Sequence, residues 1–406
     1  MRSKRMMALL ALSFFLIFPA ASGKGNAENI LYAELLSGAV TREWQEQYGI
    51  RVERAWHDGH MNLTEVLQAE DAPDFFCIST QNADFEAIRN AGWLADLSAS
   101  ASIREDIASL PPVFRAALES EDGTIWGIPE AASFKHEVYW LPAAWEAMGW
   151  DTKKAPASYT ELLDCLEAYS AHPQAGFCVF QFTADPGPQF TYRKWLLRLL
   201  VSIWHTQALY AGKSQDDENE TFQALMERAL SVGKALDEID PPSAEEKKSL
   251  TPLFYSGLSG RGLCQYGSQT YTLRNLIPHR IDREQPALVC VSLTLYCCRA
   301  NSVWSPQAAQ LLESVIRHRE GWKGFYLHPD AGDIQTWNRQ LPDSAQAARF
   351  TRPWLDSLKE LSFVPAVYPE GFRGDAYDQL IDQAARGDVT SFRFVRRMRA
   401  LNEEKH

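Results

Sequence analysis

Residues 29–56 have the sequence NILYAELLSGAVTREWQEQYGIRVERAW, and the order of elements in this stretch decides the fold. Asn29–Leu35 is apolar enough for a short strand. Val40–Tyr48 has helical spacing and is followed by Gly49, a typical helix stop. Ile50–Trp56 alternates apolar and polar side chains, as a half-exposed strand does. The stretch therefore predicts a strand, a helix and a second strand.

The next segment continues this alternation. Asn62–Ala69 is predicted to be helical, and so is Phe85–Ala91 up to Gly92. Between them, Asp74–Ser79 contains a continuous apolar run, which is typical of a strand buried on both faces. Strands that alternate with helices across short connections predict βαβ units and a mainly parallel sheet. The predicted fold class is therefore α/β.

The rest of the chain mixes both kinds of element. Further strands are predicted at Thr124–Ile128 and Ala287–Leu295. No repeat and no Pro/Gly/Ser-rich linker divides the chain, which indicates two lobes joined by several crossings rather than two tethered domains. Further helices are predicted at Pro142–Met148, Thr160–Tyr169, Phe190–Tyr210, Phe222–Leu236, Pro306–His318 and, with a break at Gly387, Tyr377–Leu401.

Length and composition fit a globular protein with two cores. The chain has 406 residues, more than one hydrophobic core usually serves. Hydrophobic residues make up 46% and charged residues 23%, so disorder is not expected. The formal net charge is −12 and basic residues form no long run. Because like charges repel, nucleic acid and anionic membrane surfaces are poor candidates for partners.

The N-terminus has the layout of a secretory signal peptide over residues 1–23. Arg2, Lys4 and Arg5 precede an apolar segment, Met6–Ala20, and small residues follow it. That segment is about 15 residues long, short of the roughly 20 that span a bilayer as a helix. The protein is therefore expected to be secreted, to the periplasm or the cell exterior in association with the cell envelope. An uncleaved membrane anchor is the alternative.

Seven cysteines are present, and none forms a C-x-x-C motif. A zinc knuckle or a thioredoxin-type site is therefore not expected. Cys77 and Cys290 lie in apolar runs and are predicted to be buried free thiols. The remaining cysteines leave one or two disulfides open.

Several segments, in order, resemble the extracellular solute-binding proteins of ABC importers, family 1, which includes the maltose-binding protein. The chain departs from that family at Trp140, where the family has Asn, and at Arg261 and Cys264 in a segment that the family begins with Gly-Lys. Residues 187–250 carry no family pattern. The resembling segments are QEQYGIRVERAW (45–56), APDFFCIST (72–80), IRNAGWLADLS (88–98), EDGTIWGIP (121–129), EVYWLPAAWEAMGW (137–150), APASYTELL (155–163), PQAAQLLESVI (306–316) and AARGDVTSFRFVRRM (384–398).

The resemblance implies a two-lobed, periplasmic-binding-protein-like fold of type II, with a hinge and an interlobe cleft. The first lobe is predicted to span 24–130 with 287–330 returning to it. The second is predicted to span 131–286, with the C-terminal helices of 331–406 packing mainly on it. The implied protein is a monomeric, non-enzymatic receptor without metal or cofactor. It would capture a small solute, a sugar by preference, and deliver it to the permease subunits of an ABC transporter.

Strand ends supply the candidates for ligand binding in the first lobe, because open parallel sheets bind ligands beyond the carboxyl ends of their strands. Glu34 follows the first strand, Trp56, His57 and Asp58 follow the second, and Gln81 follows the third. An indole stacks on the apolar face of a sugar, while carboxylate, amide and imidazole groups bond its hydroxyls. For any single Trp the alternative is core packing.

The second lobe is expected to contribute polar side chains near the crossover and from the loop YGSQTY (266–271), whose alternative is an ordinary polar turn. The resemblance also places part of VYPEGFRGD (367–375) at the cleft. The candidates from these segments are Ser133, Tyr266, Ser268, Gln269, Tyr368, Phe372 and Arg373.

Catalytic patterns are weak in comparison. The segment His57–His60 offers two imidazoles without a defined third metal ligand. Gly257–Arg261 fails the G-x-S-x-G pattern because Arg261 replaces the last glycine. A secreted glycoside hydrolase needs two carboxylates across a sugar cleft, and no pair stands out among 52 acidic residues. The hydrolase and a cell-surface sensory or adhesion module remain the alternatives.

Overall fold

Two sheets and the helices around them make up the computed structural model. No helix within the described residues is long and apolar enough to cross a membrane. The predicted signal peptide, residues 1–23, lies outside the described part of the chain. The residues described are 29–34, 36, 38–55, 63–69, 72–80, 83–110, 112–182, 190–211, 219–239, 250–256, 263–266, 269–272, 275–318, 361–366 and 376–403.

Strands and helices alternate along the first part of the chain, as predicted. The strands within the described residues are β1 (Ile30–Ala33), β2 (Arg51–Arg54), β3 (Phe75–Ser79), β4 (Ile128–Phe134), β5 (Val138–Trp140), β6 (Phe177–Phe182), β7 (Thr251–Ser256), β8 (Leu263–Tyr266), β9 (Gln269–Thr272), β10 (Leu276–Ile277), β11 (Leu288–Cys298) and β12 (Ser362–Pro365). The α-helices there are α1 (Gly38–Tyr48), α2 (Leu63–Gln68), α3 (Ala83–Asn90), α4 (Ala101–Ala108), α5 (Pro112–Leu118), α6 (Pro142–Ala147), α7 (Tyr159–Ala171), α8 (Tyr192–Tyr210), α9 (Asn219–Ile239), α10 (Ala308–Arg317), α11 (Ala376–Arg386) and α12 (Ser391–Glu403).

The first sheet has the strand order β12-β11-β3-β1-β2, with β4 also paired to β11. β1 is parallel to β2 and to β3, which confirms the βαβ prediction for this part of the chain. β11 is antiparallel to β3 and to β4, and parallel to β12. The sheet is therefore mixed, with the parallel strands β1, β2 and β3 at one side and the parallel pair β11 and β12 at the other.

The second sheet has the order β10-β5-β7-β6. β6 and β7 are parallel, while β5 is antiparallel to both β7 and β10. β8 and β9 form a separate antiparallel hairpin in which Tyr266 lies opposite Gln269. The α/β class with two lobes, each built on its own mixed sheet, is thus confirmed.

Three passages between the sheets can be followed from the described elements. Residues 135–137 lead from β4 to β5, and residues 278–287 lead from β10 back to β11. After β12 in the first sheet, α11 packs on α8 and α12 packs on α9, beside the second sheet. The exact lobe boundaries given above stay a prediction.

The stretch that decides the fold is held by a buried aromatic contact. Trp44 of α1 is fully buried, and its ring lies 5.5 Å from that of Phe75 in β3. The Trp44 indole N–H donates to Ser314 Oγ of α10. Asp74, just before β3, accepts from the Tyr32 N–H at 2.9 Å. The apolar face of α1 thus connects this helix to β3. The Asp74 carboxylate connects the start of β3 to β1.

Helices α8 and α9 pack so closely that one contact position has no room for a side chain. A Cβ added to Gly233 would lie 2.6 Å from both Cα and N of Arg193. Beside this contact, Arg193 Nε pairs with Asp237 at 2.9 Å. On the outer side, Lys194 pairs with Asp382 of α11 at 2.6 Å, so the C-terminal helices are fastened to α8. Trp204, predicted to belong to the core, is buried.

One of the strand predictions is wrong. Residues 124–128 do not form a strand: Ile125 makes only an isolated bridge to Glu119, and the strand begins at Ile128. The reason is a local turn in which Asp122 and Ser120 accept from the Thr124 N–H.

All six cysteines whose side chains are described are free thiols, and Cys290 is buried as predicted.

The close approach of α8 and α9 makes Gly233→Ala a test of this packing. The added methyl meets backbone atoms of Arg193, so we expect the free energy of unfolding to fall by about 1–3 kcal/mol. Gly38→Ala is the matched control, because nothing lies within 4 Å of its added Cβ. That variant should be unchanged or up to about 1 kcal/mol more stable. Equal urea midpoints for the two variants would contradict the helix contact.

Candidate functional site

Both sheets direct the carboxyl ends of their parallel strands to the place where the chain crosses. β3 and β4 are each antiparallel to β11, so β1, β2, β3 and β4 all run the same way. β4 ends at Phe134 and leads through residues 135–137 directly into the second sheet. The carboxyl ends of β1–β4 therefore lie at the edge that faces the second lobe.

The second sheet faces back in the same manner. β5 begins at Val138, which lies opposite Ser256 of β7 and Ile277 of β10. Both of those strands run against β5, so they end where β5 begins, and β6, parallel to β7, ends there too. We name these two facing rows of strand ends the interlobe edges. Ligands of open α/β sheets bind at such ends.

Glu34 lies at the interlobe edge directly after β1, as predicted, and is 7% exposed. Its Oε2 accepts from the Cys77 N–H at 2.9 Å, and its own N–H donates to the Phe75 carbonyl at 3.1 Å. Its carbonyl accepts from the Tyr296 hydroxyl at 2.8 Å. Glu34 is therefore locked between β1, β3 and β11 and presents a carboxylate in a fixed position.

A second carboxylate lies close to the first. Glu130 is at the β4 position where the register with β11 shifts between Thr294 and Leu295, a bulge that re-aims side chains. Burial, together with the negative charges of Glu34 and Glu130, raises the pKa of the Cys77 thiol, so Cys77 stays protonated. This interlobe edge therefore carries carboxylate oxygens, which accept hydrogen bonds from hydroxyl groups.

Hydroxyl groups from neighbouring strands meet beside these carboxylates. Ser79 of β3 and Ser292 of β11 share a hydrogen bond at 2.7 Å between their Oγ atoms. Thr80 follows β3, and its N–H donates to the Leu293 carbonyl at 2.8 Å. Sequence reasoning missed Ser292. A signal was available, because Ser292 interrupts the otherwise apolar run of β11.

Phe190 is a further aromatic that sequence reasoning did not assign to a site. It is half-buried at the start of α8, on the segment that follows the carboxyl end of β6. Its ring lies 5.2 Å from that of Tyr192, edge to face. The helical period of residues 190–210 indicated core packing, which holds for Tyr192, while Phe190 packs against the core and stays partly exposed.

The other predicted site residues have varied positions. Ser133 lies in β4 opposite Ser292, at the interlobe edge. Tyr266 and Gln269 face each other in the β8–β9 hairpin. Their side chains, and all of the following residues, lie outside what the structure describes: Trp56, His57, Asp58, Gln81, Ser268, Tyr368, Phe372 and Arg373.

Metal binding has no support in the described part of the chain. There, no group of three or more His, Cys, Asp or Glu side chains is placed to hold an ion. The segment His57–His60 lies outside that part.

Comparison with known proteins gives matches of structure only. The sequence matches no family model and no curated protein. Maltose-bound MalE3 of T. maritima aligns with a TM-score of 0.58 and 13% identity, over 92% of this chain and 99% of that one. The ABC substrate-binding protein Lmo0181 of Listeria monocytogenes, in complex with cycloalternan, aligns with a TM-score of 0.57 and 13% identity, over 91% and 96%.

A third match is an ABC transporter solute-binding protein of Agrobacterium vitis with bound D-mannitol. Its TM-score is 0.54 with 17% identity, over 93% of this chain and 98% of that one. The chain has the two-lobed fold of the ABC-importer solute-binding proteins. The expected type II architecture is thereby confirmed over nearly the full length of both chains.

The position of Glu34 generates a prediction about stability. Glu34→Ala leaves the buried Cys77 N–H without its acceptor, so we expect a loss of about 1–3 kcal/mol in unfolding free energy. Glu34→Gln keeps an oxygen acceptor and should lose less than half of that. Glu105→Ala, at an exposed position of α4, is the control. Urea unfolding gives the comparison, and identical midpoints for the Glu34→Ala and Glu105→Ala variants would contradict the assigned role.

Proposed function

We propose that the chain is the solute-binding component of an ABC importer and captures a carbohydrate or polyol between its lobes. The observation that carries the proposal is that both sheets end at facing interlobe edges, where residues 135–137 and 278–287 link them. Such a joint lets two lobes close on a molecule that touches both edges. The protein acts as a receptor and performs no chemistry on what it binds.

The chemistry of the edges supports a hydroxyl-rich ligand. Glu34 and Glu130 supply carboxylate oxygens, and Ser79 and Thr80 supply hydroxyl groups, with Ser79 held by the buried Ser292. On the opposite lobe the half-buried Phe190, on the segment after β6, is the aromatic candidate. Carboxylates and hydroxyls bond sugar hydroxyls, while aromatic rings pack on the apolar faces of sugars. The fold matches that hold maltose, cycloalternan and D-mannitol agree with this class.

The ligand site in this proposal includes residues from both lobes. Trp56, His57, Asp58 and Gln81 are included because they follow β2 and β3 in the sequence, and both strands end at the same interlobe edge as β1. Ser133 joins them from β4. The second-lobe and C-terminal members are Tyr266, Ser268, Gln269, Tyr368, Phe372 and Arg373.

The partner in this proposal is the permease of the importer, which would recognise the closed form. Ligand affinity and permease affinity would then be coupled, because both depend on the same closed state. The protein would work outside the cytoplasm, in agreement with the signal-peptide layout of residues 1–23.

A thermal-shift screen tests the function. The panel contains maltose, maltotetraose, D-mannitol, amino acids and oligopeptides at pH 7.5. A ligand present at about 100 times its Kd should add about 2.7 kcal/mol to the free energy of unfolding. We expect a sugar or polyol to raise Tm and amino acids and peptides not to. A peptide as the sole binder would overturn the ligand class, and no binder at all would count against the function.

Trp56→Ala should abolish the shift given by the ligand that binds. Trp304→Phe is the control, because the Trp304 indole N–H donates to the Ile30 carbonyl, at the end of β1 remote from Glu34. A full shift in the Trp56→Ala variant would remove Trp56 from the site. The same samples are assayed for reducing sugar released from polysaccharide, and release would favour the hydrolase alternative.

A further inference from the structure

The first link between the lobes contains a backbone conformation that side chains rarely adopt. His136 has φ of 52°, and among the described residues it is the non-glycine residue with positive φ. His, like Asn and Asp, adopts this conformation more often than other non-glycine residues, but the conformation still has a cost that the surrounding contacts must offset. His136 connects β4 of the first sheet to β5 of the second. The strain is therefore located at the joint itself.

The second link returns past the first at a buried histidine. His279 is 3% exposed, and its N–H donates to the Leu288 carbonyl at the start of β11 at 2.7 Å. The His279 Nε2 lies 3.4 Å from the His136 carbonyl, and its Nδ1 lies 2.9 Å from Cys290 Sγ. We name His136, His279, Cys290 and Thr206 the joint cluster.

The neutral form of His279 fits the joint cluster. Its Nε2–H donates to the His136 carbonyl, and its Nδ1 accepts from the Cys290 thiol, whose pKa burial raises to about 12. Thr206 Oγ lies 3.0 Å from the same sulfur and donates to the Ser202 carbonyl. A proton on Nδ1 would turn this acceptor into a donor, and the thiol would have to rotate toward Thr206.

Burial of the joint cluster also opposes that proton, although the backbone carbonyls of His136 and Lys135 favour it at His279. Burial lowers the pKa of His279 to about 4, and burial with the nearby charges of His279, Arg198 and Lys135 lowers that of His136 to about 3. Arg198 pairs with Asp378 of α11 at 2.5 Å. The other titratable groups near the joint are Cys290 on β11, Tyr210 and His205 on α8, with His205 packed against Tyr377, and Glu137, which is buried on the first link.

We infer that the joint cluster is an acid-sensitive latch, which holds the two links together at neutral pH and releases them when water and a proton reach His279. The inference concerns regulation of the proposed ligand site and rests on the proposed function for its biological meaning. The physical event, opening of the joint in acid, requires no ligand.

The direction of the pH dependence follows from the two states of the imidazole. A hydrated imidazole titrates near pH 6.5, and His279 in the joint cluster titrates near 4. The contribution of neutral His279 to the stability of the closed joint is therefore complete above pH 6.5 and is lost as the pH falls toward 4. Within this window, each fall of one pH unit shifts the equilibrium toward the hydrated joint by up to about tenfold through His279.

The joint should respond before the lobes unfold, because the largest buried aromatic side chains of the lobes lie outside the joint cluster. The first sheet packs on Trp44 and Phe75, and the second packs on Trp145 and Phe180, all fully buried. None of these side chains is ionisable. Acid therefore acts first on the buried imidazoles of the links.

Small-angle scattering of the full chain without ligand tests this latch between pH 7.5 and 4.5, with far-UV circular dichroism on the same samples. We expect the radius of gyration to rise with falling pH while the dichroism is retained. His279→Gln keeps an amide donor and an oxygen acceptor but cannot titrate. The pH midpoint of the expansion should therefore be lower in this variant than in the unmodified chain, by at least about one pH unit.

His172→Gln, at an exposed position after α7, is the matched control and should keep the original midpoint. His136→Asn is a second variant, since Asn tolerates positive φ, and it should lower the midpoint if His279→Gln does not fold. Equal midpoints for the folded cluster variants and the control would overturn the latch. Loss of dichroism together with the expansion would do so as well.

The outcomes separate this inference from the proposed function. If the ligand panel fails at pH 7.5 while acid expansion follows His279, the latch stands and the transport role fails. If a sugar binds and the expansion is absent or insensitive to His279→Gln, the transport role stands and the latch fails.

Discussion

The structure depends on the pairing of β11 along both of its edges. This eleven-residue strand is buried almost throughout, and it pairs β3, β4 and β12. Its last residues complete the core of the first lobe, while its first residues continue the link that comes from the second. A strand with partners on both sides cannot shift its register without turning its apolar side chains to the wrong face. The relation between the lobes therefore originates in this strand.

Sequence patterns predicted the first lobe better than the second for a physical reason. Residues 29–91 have clear periods because short strands and helices alternate there, and each helix has an apolar face. In the second sheet, β5 has three residues and β7 contains Pro252, which weakens its strand pattern. β6 was missed in the same manner, because its aromatic run, Phe177–Phe182, has no alternation to distinguish a buried strand from a buried helix.

The candidate site shows the same division. Glu34 was predicted because a strand end is visible in the sequence, but its bonds to Cys77 and Tyr296 depend on neighbours 43 and 262 residues away. Ser292 and Glu130 were not predicted, since one lies inside an apolar strand and the other at a bulge. Such positions become functional only through register with a distant strand, and a single sequence does not contain that register.

Short links explain how two well-packed lobes can move with little loss of stability. Closing changes backbone angles at residues 135–137 and 278–287, while the hydrogen bonds of β11 with β3 and β4 remain. A ligand that contacts both interlobe edges makes its full set of contacts only in the closed form, so its differential affinity shifts the equilibrium. The buried imidazoles act on the same equilibrium from inside the joint. Ligand binding and protonation of His279 therefore oppose each other. The ligand stabilises the closed form, and the proton stabilises the hydrated joint.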